Sequence, residues 1–130
     1  MSAEKCVQNE HIENQVFRVS DEFGQLTGPR LARHGSCSGE ALRIKIAEKL
    51  KTIGSGKLTV ILDDVHGYGS SFLEEAFAGL VRHWEGDLDH FENKIEIVSN
   101  SALYRTYVSE ARLYMNSALR WKRNPIKLGN

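Results

Sequence analysis

Cysteine is almost missing from this chain. Cys6 and Cys37 are the only two among 130 residues. They lie far apart and fit no metal-ligand spacing, so neither a disulfide framework nor a thiolate metal site is expected. Both are read as free thiols of a reducing, cytoplasmic setting. Proline is scarce too, with 2 residues against 11 glycines, and no low-complexity linker or internal repeat is visible. Long apolar runs are absent. No stretch approaches the roughly 20 apolar residues of a membrane span. The polar start "MSAEKCVQNEHIENQ" lacks the apolar centre of a signal peptide, so no membrane partner is expected. An excess of either charge is also lacking: Lys+Arg and Asp+Glu are both 17. A general nucleic-acid binder needs surplus positive charge to release counterions, so that class is excluded, although a local basic patch is not.

What is there suits one soluble domain. A chain of this length buries roughly two-thirds of its unfolded surface, enough for a single core without staples. We expect residues 1–13 to be a loose or accessory lead-in, 14–120 a single domain, and 121–130 a mobile tail. "QVFRVS" is rich in strand formers and predicts a strand near 15–20. The glycine-rich run "DEFGQLTGPRLARHGSCSG" predicts a loop, with a short strand near Gln25–Thr27. Ser38 is a good cap and Glu40 suits a first helical turn. Leu42, Ile46, Leu50 and Ile53 then recur at helical spacing, predicting a helix over 39–53 ended by Gly54 and Gly56.

"LTVILDD" has little polar alternation and predicts a strand over 58–64 covered on both faces. Phe72, Leu73, Ala76, Phe77, Leu80, Val81 and Trp84 form one helical stripe over 71–84. "EGDLDHFEN" reads as a polar turn and "KIEIVS" as a strand over 94–99, with Ile95 and Ile97 on one face. A long helix follows over 101–119, with Leu103, Tyr104, Tyr107, Val108, Ala111, Tyr114 and Met115 on its apolar side. Phe72, Leu73, Ala76, Phe77, Leu80, Ile61 and Ile97 are expected in the core. The order β, loop, α, β, α, β, α indicates an α/β layered fold, a central mostly parallel or mixed sheet with amphipathic helices packed on it.

Three apparent motifs fail on inspection. "GSGKLT" lacks the first glycine and the Ser/Thr of a phosphate-binding loop, and it joins a helix to a strand, the wrong order. "GYGSSF" lacks the glycine that a nucleophile elbow needs after its serine. His83, Asp87, Asp89 and His90 fall at a helix end and a polar turn, and His66 at another turn, so no metal site and no cofactor are expected.

"HGYGSSFLEEAF" carries two serines where a helix start needs one. With Ser71 as the cap, Glu74 falls at the third helical position and "SFLE" is a capping box, worth about 1 kcal/mol. Ser70 is then left in a glycine-lined turn beyond the carboxyl end of a strand, where open α/β sheets commonly place their ligands. It faces the positive end of a helix, which favours a phosphate.

"GPRLARHGSCSGEALR" and "LDDVHGYGSSFLEEAFAGLVR" resemble the signature segments of the STAS-like domain family of uncharacterised function. That family is similar in fold to STAS domains, whose best-understood members are anti-sigma-factor antagonists. Those are small cytoplasmic bacterial binding proteins, not enzymes. A GHKL-type kinase phosphorylates them on a serine at the start of the second helix. The resemblance therefore implies a regulatory protein-interaction module with a protein partner of the GHKL-type ATPase or kinase class. It places Ser70 on the phosphorylated serine, and the partner surface on Tyr68, Gly69, Ser70, Ser71, Phe72, Glu74 and Glu75. Two departures stand out: the aspartate before the serine is Gly69 here, and the glycine after the serine pair is Phe72. Arg30, Arg33 and Arg43 either pair with Glu40, Glu74 or Glu75, or grip a phosphate or an acidic partner. Two alternatives are a fixed, non-switching subunit of a bacterial defence or mobile-element assembly, and a small hydrolase-like enzyme using Asp63, Asp64 and Ser70 or Ser71. No catalytic residue is assigned.

Overall fold

The computed structural model describes residues 14–125. The lead-in 1–13, with Cys6, and residues 126–130 of the expected tail lie outside the described residues. The sheet has three strands, β1 (Asn14–Arg18), β2 (Lys57–Ile61) and β3 (Ile95–Val98), in the order β1-β2-β3. Both pairings are parallel, with Phe17 opposite Val60 and Val60 opposite Ile97. A parallel sheet in sequence order, with right-handed crossovers, puts its connecting helices on one side.

That side is the core. Phe17, Leu58, Val60, Leu62, Ile95 and Ile97 are buried. The other face is open at its middle: Val16 is 54% exposed, and its register partners Thr59 and Glu96 are half-buried and exposed. The expectation that β2 is covered on both faces is therefore corrected. β2 is central, but Thr59 is the polar alternation in "LTVIL", and only Ile61 is buried on that side.

β1 passes directly into a single helical turn, α1 (Val19–Glu22). No strand forms at Gln25–Thr27. That segment instead lies along the turn after β2: the Gln25 carbonyl accepts from the His66 amide at 2.9 Å, and the Thr27 hydroxyl donates to the Gly67 carbonyl at 2.6 Å. A 3-10 turn, Ala32–His34, leads to α2 (Gly39–Leu50). Ser38 caps α2 as expected, its Oγ accepting from the Ala41 amide at 3.0 Å. α2 ends at Leu50, three residues early, because Thr52 folds back so that its amide and hydroxyl both bond the Lys49 carbonyl. Ile53 is still buried, and Gly54 supplies the left-handed turn at φ 58°.

The helix α3 over 70–82 consists of an α-helical turn Ser70–Leu73, a π-helical segment Glu74–Ala78 and an α-helical turn Gly79–Arg82. Its apolar residues explain the wider middle. Phe72, Ala76 and Leu80, and beside them Leu73, Phe77 and Val81, repeat every fourth residue. A pure α-helix of 3.6 residues per turn lets such rows drift off the core, and a segment with i→i+5 bonds restores them. α3 is wedged between neighbours, so that Glu75 through Val81 are all buried.

The expected polar turn contains a helix, α4 (Leu88–Lys94), capped by the Asp87 side chain accepting from the Asp89 amide at 3.3 Å. Its Phe91 is fully buried with its ring centroid 4.9 Å from Trp84. After β3 a 3-10 turn, Ala102–Tyr104, enters the last helix, α5 (Arg105–Arg123). Val108, Ala111, Met115 and Leu119 form its inner face, whereas Leu103 is 77% exposed, outside the apolar side expected for it. α5 outruns the expected end of the domain because Lys122 is fixed. Its Nζ donates to the carbonyls of Val81 and Trp84, both at 2.6 Å, tying α5 to the end of α3.

Candidate functional site at the start of the central helix

The turn between β2 and α3 is held from three sides. Asp63 is buried, and its carboxylate accepts from the amides of Asn100 and Ser101, each at 2.9 Å in its closest contact. Asp64 takes the left-handed conformation at φ 66°. The Tyr104 hydroxyl donates to the Val65 carbonyl at 2.7 Å, and the Tyr68 hydroxyl to the Leu62 carbonyl at 2.8 Å. Burial, followed by the nearby Tyr104, Asp63 and Tyr107, pushes the Tyr68 phenol far above its usual range, so it remains a donor. The start of α3 is thus presented from a fixed platform.

On that platform Gly69, Ser70 and Ser71 are exposed side by side. The expected cap does not form. Gly69 is the N-cap, with extended backbone at φ −77° and ψ 154°, and no side chain caps the helix. Ser70, expected in the turn before the helix, is its first residue. Ser71 lies inside the first turn, and Glu74 does not reach back to it. Glu74 is taken by two arginines, accepting from Arg30 Nη1 at 2.5 Å and from Arg82 Nη1 at 2.7 Å. Arg82 first, and Arg30 with it, hold the Glu74 carboxyl below its usual range against the opposing effect of burial. Its ion pairs are therefore fully present at neutral pH and are lost as pH falls through that lowered value.

With neither serine acting as a cap, Ser71→Ala and Ser70→Ala should each change stability by no more than about 0.5 kcal/mol. Denaturant midpoints of both variants check this. A loss near 1 kcal/mol or more for Ser71→Ala would restore the capping account.

The rest of the expected partner surface divides. Tyr68, Phe72 and Glu75 are buried, at 7%, 0% and 7% exposure: Phe72 lies in the core as its place in the helical stripe predicts, and the surface role expected for the three gives way to burial. Phe72 packs edge-on to Phe23, with ring centroids 5.9 Å apart, and lies 6.0 Å from Tyr68. Glu75 accepts from Arg43 Nε at 3.2 Å. Arg30 and Arg43 are therefore already paired with acids, while Arg33 is exposed on the 3-10 turn. Arg82 is the member that sequence reasoning missed, although its i+8 spacing from Glu74 puts the two on one side of the helix.

Two glycines make the cluster possible. A Cβ on Gly39 would lie 2.5 Å from the Phe72 carbonyl oxygen, and one on Gly79 would lie 3.0 Å from Arg43 Cδ. Across from Ser70 stands α5. There the Tyr114 hydroxyl donates to Glu110 at 2.9 Å. That bond raises the Tyr114 phenol, and the neighbouring Ser70 hydroxyl acts in the opposite direction.

The other flagged residues do not converge. Asp87 caps α4, and Asp89 pairs with Arg123 at 2.6 Å. Among the described residues no group of three or more His, Cys, Asp or Glu is placed to hold a metal ion. No described helix is long and apolar enough to cross a membrane. Cys37 is an exposed free thiol. A groove of about 490 Å3 lies elsewhere, running between α2 and the end of α3 past Ile44, Ala47, Leu80 and Trp84.

No curated protein and no solved structure matches the chain. One family model does, described as a STAS-like domain of unknown function (DUF4325), over residues 38–104. That span takes in α2, β2, α3, β3 and the turns between them, including both serines and the whole Arg43–Glu75 contact. The chain therefore belongs to the STAS-like family of unknown function.

Proposed function

We propose that this domain is a regulatory docking module. Its partner surface is the exposed start of α3, at Gly69, Ser70 and Ser71 with Glu74 beside them, and a phosphate on Ser70 switches it. The observation that carries the reading is a pair of exposed serine hydroxyls on one helical turn, neither of which caps the helix, standing on a platform pinned by Asp63, Tyr68 and Tyr104. Residues with no duty in the fold are free for a partner. The resemblance to anti-sigma-factor antagonists supplies the partner class, a GHKL-type ATPase or kinase, and a cytoplasmic setting. Binding rather than catalysis fits Asp63, whose carboxylate is occupied by the amides that shape the turn after β3.

A phosphate on Ser70 adds about −1.5 to −2 charges at neutral pH. The free amides of the helix start favour it, while Glu74 and the Tyr114–Glu110 pair add negative charge close by. The fold survives, and a partner seated over the helix start meets a new charge. Ser70→Asp should weaken binding to a GHKL-type ATPase or kinase from the same cells at least tenfold, about 1.4 kcal/mol, with Ser70→Ala close to wild type. Titration of both variants and mass spectrometry of protein from native cells decide it. Equal affinities, together with no phosphate at Ser70, would sink the switch.

A further inference from the structure

α5 buries one face and leaves the other bare. On the outer side Leu113, Ser117 and Trp121 follow one another at i, i+4 and i+8, the spacing of a helix ridge. Leu113 is 60% and Trp121 50% exposed, with Ser117 exposed between them. The small Ser117 at the centre lets another backbone approach closely. The charges along the ridge are ordered: Glu110 lies toward its N-terminal end and Arg120 toward its C-terminal end. Arg120 has no carboxylate partner among the described residues, whereas the next arginine, Arg123, is taken by Asp89 and Glu92. Such a ridge complements itself in one direction only. A parallel copy sets acid against acid and base against base. An antiparallel copy brings Glu110 to the half that carries Arg120.

We propose that the chain forms a two-fold symmetric dimer in which α5 packs antiparallel on α5 of a second copy, crossing at Ser117. The contact is isologous: Leu113 of each copy faces Trp121 of the other, and Tyr114 of each faces Arg120 of the other. A ridge of i±4n residues packed into its own equivalent crosses at about −50°. One such crossing, along a helix about 28 Å long, buries less than the roughly 1,600 Å2 of a standard interface, so the dimer is weak, on the order of micromolar. The dimer requires no phosphate and no other protein, so it stands or falls separately from the Ser70 switch.

Sedimentation of the full chain across about 1–200 µM tests it. The wild type should shift from monomer to dimer. Trp121→Glu and, independently, Leu113→Glu should stay monomeric with unchanged thermal melts. Arg120→Glu should weaken the dimer about tenfold, and adding Glu110→Arg should restore it. A chain that stays monomeric throughout, or a dimer that survives both Trp121→Glu and Leu113→Glu, overturns the proposal. A dimer lost in those variants but not restored by the exchanged charges overturns the antiparallel arrangement.

Discussion

Phe72→Ala should lower the stability of the domain by about 3–5 kcal/mol, the range for emptying a buried phenylalanine site. The ring is fully buried against Phe23 and Tyr68, and the pinned turn on one side and α2 on the other limit collapse into the space. Small domains have only about 5–15 kcal/mol in total, so the variant should begin to unfold within the working range of temperature. Urea titration with an unchanged slope measures it. A stable variant that had lost its partner would return Phe72 to the surface role expected from its place beside the serines.

Glu75→Ala should come close to the same loss, about 3–5 kcal/mol, for an electrostatic reason. The Arg43 side chain is 14% exposed and Glu75 is its closest acid, at 3.2 Å. Removing the carboxylate leaves a guanidinium with little water and with only Glu40, 3.9 Å away, as a remaining acid. The diagnostic variant is double. Arg43→Met with Glu75→Leu should recover most of the loss, since an apolar pair of similar volume replaces a buried ion pair at little net cost. If the double variant is as unstable as Glu75→Ala alone, Glu75 acts through packing on Gly79 and not through charge.

These two residues show why the site was only half legible in the sequence. Strand β2 and the apolar stripe of α3 are local patterns, and both were readable from spacing. The cap at Ser71 was also read locally, and there the locality misled. "SFLE" fits a capping box, but Glu74 is claimed by Arg30, 44 positions away, and by Arg82. Nothing within four residues of Glu74 announces that competition. α4 was missed because "DLDHFEN" offers only Leu88 and Phe91 as apolar residues, one turn apart in a polar run. The open face of the sheet was missed because Thr59 and Ile61 read as strand formers whichever side they occupy. The π-helical segment has a signal, the strict fourfold spacing of 72, 76 and 80, but over so few residues that spacing is indistinguishable from ordinary helical periodicity.

That segment also fixes the angular phase of everything before it. One residue more or less in a helix turns its N-terminal part by about 100° relative to its C-terminal part. Suppose the five residues 74–78 wound instead as ordinary α-helix, with the end of α3 held in place by Lys122. Bonds from i to i+5 turn the chain less per residue, so the tighter winding would back the N-terminal part up by about one residue. Phe72 would move into the exposed place of Ser71, and Leu73 into that of Phe72. The widened turn therefore absorbs one residue, and it is what keeps Phe72 in the core directly after two serines that face solvent.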